Sequence, residues 1–327
     1  MNAFSSIYGN KENTAMFSSL IEAGKLSHAY LISGPEGSGK KTLSLAVGAA
    51  LAAKNGADDA TLLRIERGFC PDVSVVLPPD DKKTTGVDTV REFISTVALS
   101  PSELEFKMYI FDKAERLTPQ AQNALLKVIE EPPADVYIFL LCEEPSSIIG
   151  TVRSRVQSAF MQRIPSEEII KYFGGKYDVG SEKFLFASRL CRGSIGAVES
   201  LMNDAAAFAL YVKVGEIIDM QSKKMRGARY FDFLRSISQA ADTREKFGSL
   251  LDYLLLAYRD IAVFSSSESA TPQFFSDEKA RELSDSIAYD AVANSVECVT
   301  KIKNGLIYNT NLNISAALLS ELLWNAA

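Results

Sequence analysis

The segment Gly34-Pro35-Glu36-Gly37-Ser38-Gly39-Lys40 follows a short apolar run at 29–33 and opens a helix-forming stretch at 41–53. Strand, glycine-rich loop and helix in this order are what a phosphate-binding loop demands. The glycines let backbone N–H groups wrap a phosphate, the helix N-terminus adds positive potential, and Lys40 reaches the outer phosphates. A ligand-free turn would account for the glycines, but not for the lysine and the flanking elements together.

Around this loop the first half of the chain alternates apolar runs with amphipathic stretches, the pattern of a parallel sheet covered by helices. The expected strands are 29–33, 73–77, 107–111 and 136–142, with 158–164 a weaker fifth. The run Val-Tyr-Ile-Phe-Leu-Leu-Cys at 136–142 has no polar alternation, so it should lie in the centre of the sheet. Between Thr118 and Glu130, Ala121, Ala124, Leu125, Val128 and Ile129 make one helical stripe, started by Thr118-Pro119 and stopped by Pro132-Pro133. Beyond Ile164 helical periodicity takes over. Breaks at Gly193 and Asn203-Asp204 suggest a small helical unit over 165–204 and a larger one over 205–327, with a polar loop at 265–272.

A chain of 327 residues with 47% hydrophobic and 23% charged residues can bury two or three cores. Its 35 basic and 41 acidic side chains give a net charge of −6, so any contact with nucleic acid must be a local patch. No window reaches the length of a membrane span, and the first ten residues lack a basic start followed by an apolar run. The expectation is a soluble, cytoplasmic chain. Cys70, Cys142, Cys191 and Cys298 are scattered and fit a reducing compartment. The one histidine, His28, excludes any mechanism that needs two imidazoles, and reads as a packed ring ahead of the first strand.

The next position after the loop departs from the pattern. A hydroxyl that would ligate Mg²⁺ is replaced by Lys41, whose ammonium has no lone pair. Thr42 carries a hydroxyl, but one step along a helix turns it about 100° away. The strand at 107–111 leads into Asp112, the position of an acid that supports Mg²⁺ in nucleotide hydrolysis. The next residue should be a water-activating carboxylate and is Lys113, while Glu115 lies two residues too far along to substitute without a local rearrangement. Further on, Arg153 and Arg155 in Thr151-Val152-Arg153-Ser154-Arg155 would, taken alone, be an ordinary solvated edge.

Together, SHAYLISGPEGSGKKTL, KMYIFDKAERLTPQAQNALLKVIEEPP and TVRSRVQ resemble the bacterial clamp-loader subunits of the AAA+ class, above all the delta-prime type of DNA polymerase III. CRGSIGAVESL and NLNISAALLSELL match more weakly. The resemblance implies a RecA-like AAA+ domain over 1–164, a three-helix lid over 165–204 and a helical collar over 205–327. It implies a five-subunit ring with gamma/tau ATPase and delta partners, acting on a sliding clamp and primer-template DNA. In such rings a Ser-Arg-Cys motif inserts an arginine finger at the neighbour's γ-phosphate. The matching residues are Ser154, Arg155 and Val156, so Arg155 is the expected finger and Val156 a minor departure.

Gly34, Gly37, Gly39, Lys40, Thr42 and Asp112 would then form a degenerate nucleotide site. Hydrolysing relatives place an arginine at the fourth position of Gly193-Ser194-Ile195-Gly196; here Gly196 supplies no charge. With Lys41 and Lys113 this favours a subunit that requires no cofactor and holds ATP or ADP, if either, without turnover. Of the four zinc cysteines common in the family only Cys70 remains, so no zinc is expected. The alternative is an ATP-hydrolysing gamma/tau-type motor, which would call for Thr or Ser at 41 and Glu at 113. An unrelated P-loop kinase would leave the segment 123–133 unexplained.

Two stripes in the collar, Leu250, Leu251, Leu254, Leu255 and Tyr258, and Ile314, Leu318, Leu319 and Leu322, could be intrachain core or subunit contact. The cluster Lys223, Lys224, Arg226 and Arg229 reads as a solvated face, with DNA or clamp contact as the alternative.

Overall fold

The apolar runs of the first half form β1 (Ala29–Ser33), β2 (Val73–Val76), β3 (Lys107–Phe111), β4 (Val136–Cys142) and β5 (Gln157–Phe160). These come from a computed structural model that describes residues 3–5, 7–77, 84–223, 230–240, 242–267, 271–306 and 310–326. The strands pair in parallel in the order β2-β3-β4-β1-β5, and β4 is central, as its unbroken apolar sequence requires. The fifth strand is shorter than the sequence suggests. After Phe160 one more bond forms, from Met161 N to Ser33 O at 2.7 Å. There β1 gives way to the glycine loop, and its ladder ends.

Alternate side chains of each strand point to opposite faces. Tyr30, Ile32, Met108, Ile110, Phe139 and Leu141 pack with helices α1 (Lys11–Glu22), α2 (Lys40–Lys54) and α3 (Asp59–Glu66). Leu31, Tyr109, Phe111, Ile138 and Leu140 pack with α4 (Val87–Val97), α5 (Pro119–Glu130) and α6 (Gly150–Arg153). Each fully buried large side chain contributes roughly 2 kcal/mol, so the two layers supply most of the stabilisation of this unit. Helix α5 begins as the sequence indicates: Thr118 Oγ1 accepts from Ala121 N at 3.2 Å, and Pro119 occupies the first turn. His28 is satisfied at the start of β1, its Nε2 lying 2.8 Å from Ile129 O.

The chain forms two compact units, Met1–Gly175 with Arg192–Gly196, and Lys176–Cys191 with Ala197–Ala327. Of the three helices over 165–204, α7 (Ser166–Phe173) belongs to the first unit, and α8 (Glu182–Cys191) to the second. Helix α9 (Ile195–Asn203) starts in the first and continues in the second. The break at Asn203-Asp204 is a helix cap: Asp204 Oδ1 accepts from Ala206 N and Ala207 N at 2.9 and 3.0 Å.

The second unit continues as α10 (Ala205–Ser222), α11 (Tyr230–Ala240), α12 (Arg244–Ser266), α13 (Asp277–Ser286), α14 (Tyr289–Leu306) and α15 (Leu312–Ala326). Leu250, Leu251, Leu254 and Tyr258 are buried inside it, with Leu255 partly so, which makes that stripe intrachain core. The second stripe divides. Leu319 is buried and Leu322 partly buried, whereas Ile314 is 67% exposed and Leu318 43% exposed. The loop expected from Ser265 starts two residues later, because Ser265 and Ser266 turn their hydroxyls onto Ile261 O and Ala262 O, which lets the helix continue. Residues 268–270 of that loop lie outside the described residues, as do Lys224, Arg226 and Arg229; Lys223 ends α10. Among the described residues no helix is long and apolar enough to cross a membrane.

Asp260 is fully buried and accepts from Gln273 N, Phe274 N and Phe275 N at 2.7–3.1 Å, with Arg259 Nη1 3.0 Å from its other oxygen. It holds the segment after α12 against the core. Asp260→Ala leaves those amides unpaired and should cost about 3 kcal/mol in urea unfolding. A loss below about 1 kcal/mol would show that the segment finds other partners.

Candidate functional site

The carboxyl ends of the parallel strands bring the sequence motifs together. β1 passes into the loop at Gly34, whose N–H donates to Cys142 O at the end of β4 (3.2 Å). Gly34 has φ 149°, and a Cβ there would lie 2.3 Å from Met161 O. Gly37 has φ 74°, and its Cβ would fall 1.8 Å from Ser194 Oγ. Both positions therefore need glycine, for the backbone angle and for the space. The second also shows that the segment Arg192–Gly196 packs down on the loop, with Ser194 buried.

Helix α2 starts at Lys40 with Gly39 as N-cap and no side-chain cap, so its first amides point outward with the positive end of the helix dipole. Ser38 is buried, and its Oγ has no hydrogen-bond partner. Lys40 Nζ donates to Gly34 O at 2.6 Å and Pro35 O at 2.9 Å. Uncapped amides, an unpaired hydroxyl and an ammonium group are the donors a phosphate needs, and the loop fits one. A magnesium ion finds no such fit: at the position of its hydroxyl ligand stands Lys41, exposed and without a lone pair. Among the described residues no three His, Cys, Asp or Glu side chains gather in metal-binding reach.

A cavity of about 420 Å³ opens over the loop. Its charged lining is Glu36, Asp112, Glu115 and Glu143 against Lys40, Lys41 and Lys113, and Thr42 and Gly196 also face it. Burial pulls Lys40 below the ordinary lysine value, opposed by Glu143, Glu115 and Asp112. Asp112 Oδ1 accepts from Lys113 N at 3.0 Å. Lys113 adopts a left-handed backbone, φ 54°, and its Nζ reaches Glu36 Oε1 across the mouth at 3.5 Å. Glu115, two residues beyond the position of a water-activating acid, also reaches the cavity. A 3₁₀ turn over Ala114–Arg116 brings its carboxylate to the cavity wall, where Oε2 is buried without a partner. Burial, with Glu115 next, pushes the Cys142 thiol up to about 11 and keeps it neutral.

Ser154 and Arg155 lie away from this lining, at the end of α6. Val152 and Val156 are buried on either side, so the backbone of Arg155 is pinned into the core that α5 shares. Its side chain stays 41% exposed. Nε donates to Glu130 Oε1, and Nη1 donates to Thr151 O at 3.0 Å and Ser154 Oγ at 3.2 Å. Buried Gln122 of α5 ties down the turn ahead of α6: Nε2 donates to Ser147 O at 3.4 Å, and Oε1 accepts from Ile149 N at 2.8 Å.

Residues 9–165 match the family described as DNA polymerase III, delta subunit. The chain is 28% identical to DNA polymerase III subunit delta' of Bacillus subtilis (strain 168), over 89% of each chain. It is 31% identical to subunit delta' of Escherichia coli (strain K12), over 55% of this chain and 56% of that one. These matches support a DNA polymerase III clamp-loader family subunit. Within that family it is also 25% identical to subunit tau of B. subtilis (strain 168), over 91% of this chain. It spans about half to three-fifths of the tau and gamma relatives it matches, 57%, 48% and 59% of their lengths in three cases.

Ser194, Glu143 and Glu130 take part in these contacts without being candidates from the sequence pattern. A carboxylate immediately after a central strand was the one signal that could have placed Glu143, since the ends of parallel strands converge.

Gly37→Ala should lower stability by about 2 kcal/mol, through the positive φ and the collision with Ser194. A double-mutant cycle with Ser194→Gly should recover the steric part, read as a rise in melting temperature over Gly37→Ala alone. Strict additivity would mean that the two segments do not touch.

Proposed function

We propose that the chain is a delta-prime-type clamp-loader subunit that does not hydrolyse ATP and lends Arg155 to the ATP site of a neighbouring subunit. The observation that carries this reading is the contrast between its two charged features. Arg155 is exposed and held just past the end of α6, outside its own cavity, while in that cavity Lys41 and Lys113 stand where a metal ligand and a water-activating acid would act. An arginine finger works by putting fixed positive charge where negative charge grows on the transferring phosphoryl group. A cation at position 113 can neither accept a proton nor orient water.

In this reading residues 1–164 are the AAA+ body, 165–204 the lid and 205–327 the collar of a five-subunit cytoplasmic ring with gamma/tau and delta partners. The ring places a sliding clamp on primer-template DNA. The exposed half of the α15 stripe, Ile314 and Leu318, supplies apolar surface for a collar contact. Lys40, Ser38 and the first amides of α2 would hold the phosphates of ATP or ADP, and the bound nucleotide would supply rigidity and no chemistry. No zinc is needed.

One observation favours the gamma/tau-type motor as a second reading: Glu115 enters the cavity with an unpartnered oxygen, an acid close to the one that Lys113 displaces. The two readings separate on turnover. The isolated chain should not hydrolyse ATP; a motor-like rate abolished by Lys40→Ala would establish the second. In the complex reconstituted with its partners, Arg155→Ala should leave assembly intact and lower clamp-stimulated ATP turnover by about 10³-fold. Unchanged turnover would refute the finger assignment.

A further inference from the structure

We infer that Glu130 is the positioning residue for Arg155, fixing the guanidinium so that its Nη2 edge faces outward. The inference rests on the finger reading above and names the group that aims the finger.

A guanidinium has five N–H donors in a rigid planar fork. In Arg155 the Nε donor is taken by Glu130 Oε1, and Nη1 bonds to Thr151 O and Ser154 Oγ. Three bonds from two sides fix the plane of the fork. Among the described residues Nη2 makes no hydrogen bond, which leaves that edge for an acceptor outside this chain. Thr151 lies in α6 and Ser154 caps it, so both acceptors are local to Arg155, which follows the helix directly. Glu130 alone comes from another element, the last residue of α5, so it alone ties the side chain to the body of the sheet. A carboxylate at a helix C-terminus faces the negative end of the dipole, so nothing in α5 itself favours Glu130 there; the charge of Arg155 does. Glu131, next along, is exposed.

Glu130 could act in two ways that chemistry separates. As a positioning group it needs only an acceptor oxygen at Oε1. As a counter-charge that masks the arginine it needs its negative charge. Gln keeps the oxygen and removes the charge, whereas Ala removes both.

The test is clamp-stimulated ATP turnover by the reconstituted complex with Glu130→Gln, Glu130→Ala and Arg155→Ala, each checked for assembly by gel filtration. Positioning predicts that Glu130→Gln stays within about twofold of the parent. Glu130→Ala should lose about tenfold or more in kcat, with KM for ATP little changed, because a misaimed donor is missed in the transition state. Glu130→Ala should cost nothing further in an Arg155→Ala background. Equal losses for Gln and Ala, or a rise in both, overturn the inference. If Arg155→Ala lowers turnover and Glu130→Ala does not, positioning by Glu130 falls and the finger stands. If Arg155→Ala has no effect, the finger reading falls and takes this inference with it.

Discussion

The pairing of β1 between β4 and β5 is the constraint from which the site follows. With a strand on each side, β1 can only leave the sheet at its carboxyl end, beside Cys142 and beneath Met161. Those neighbours leave no room for a Cβ at Gly34. The glycine loop is thus the one backbone path from a central strand into α2. The same parallel arrangement brings Asp112 from the end of β3 and Glu143 from the end of β4 to that edge, so the cavity's charges are a product of strand order.

Those charges set what the cavity can hold. Four carboxylates face three ammonium groups, and Lys40 is spent on the carbonyls of its own loop. An incoming phosphate must take Lys40 from Gly34 O and Pro35 O and meet the acids of the lining. The Lys113–Glu36 pair across the mouth is largely exposed and worth about 1 kcal/mol or less, so it offers little resistance to opening. The cost of binding lies deeper, in bringing phosphate charge next to Asp112, Glu115 and Glu143. Uncapped amides of α2 and the unpaired Ser38 hydroxyl work in the other direction.

Much of the first unit was legible because its signals are local. An unbroken apolar run put β4 in the centre, a Thr-Pro pair started α5, and the run from Gly34 to Lys40 named the loop. What could not be read depends on residues distant in sequence. Ser194 lies against Gly37 only because the chain returns to the first unit at Arg192–Gly196, and no local pattern announces that return. The place of Glu115 on the cavity wall depends on a 3₁₀ turn over Ala114–Arg116, which its spacing from Asp112 does not announce. In the second unit, periodicity found the α12 and α15 stripes but could not tell core from surface. Burial then assigned Leu250 to the interior and Ile314 to the outside.

Helix α5 ties Arg155 to the body of the sheet. Helix α6 has four residues, too few to be stable by itself, so its position must be imposed. Helix α5 imposes it at three levels: Leu125 and Ile129 share a core with Val152 and Val156, Gln122 holds the approach at Ser147 and Ile149, and Glu130 holds Arg155. A buried amide with both ends bonded costs heavily if either bond is lost, which makes Gln122 a stiff connection rather than a loose one. Any displacement of α5 is therefore transmitted to the arginine with little slack. Under the proposed finger role, Arg155 would gain from being mounted beside such an element, because its direction would be fixed before a partner's phosphate arrives.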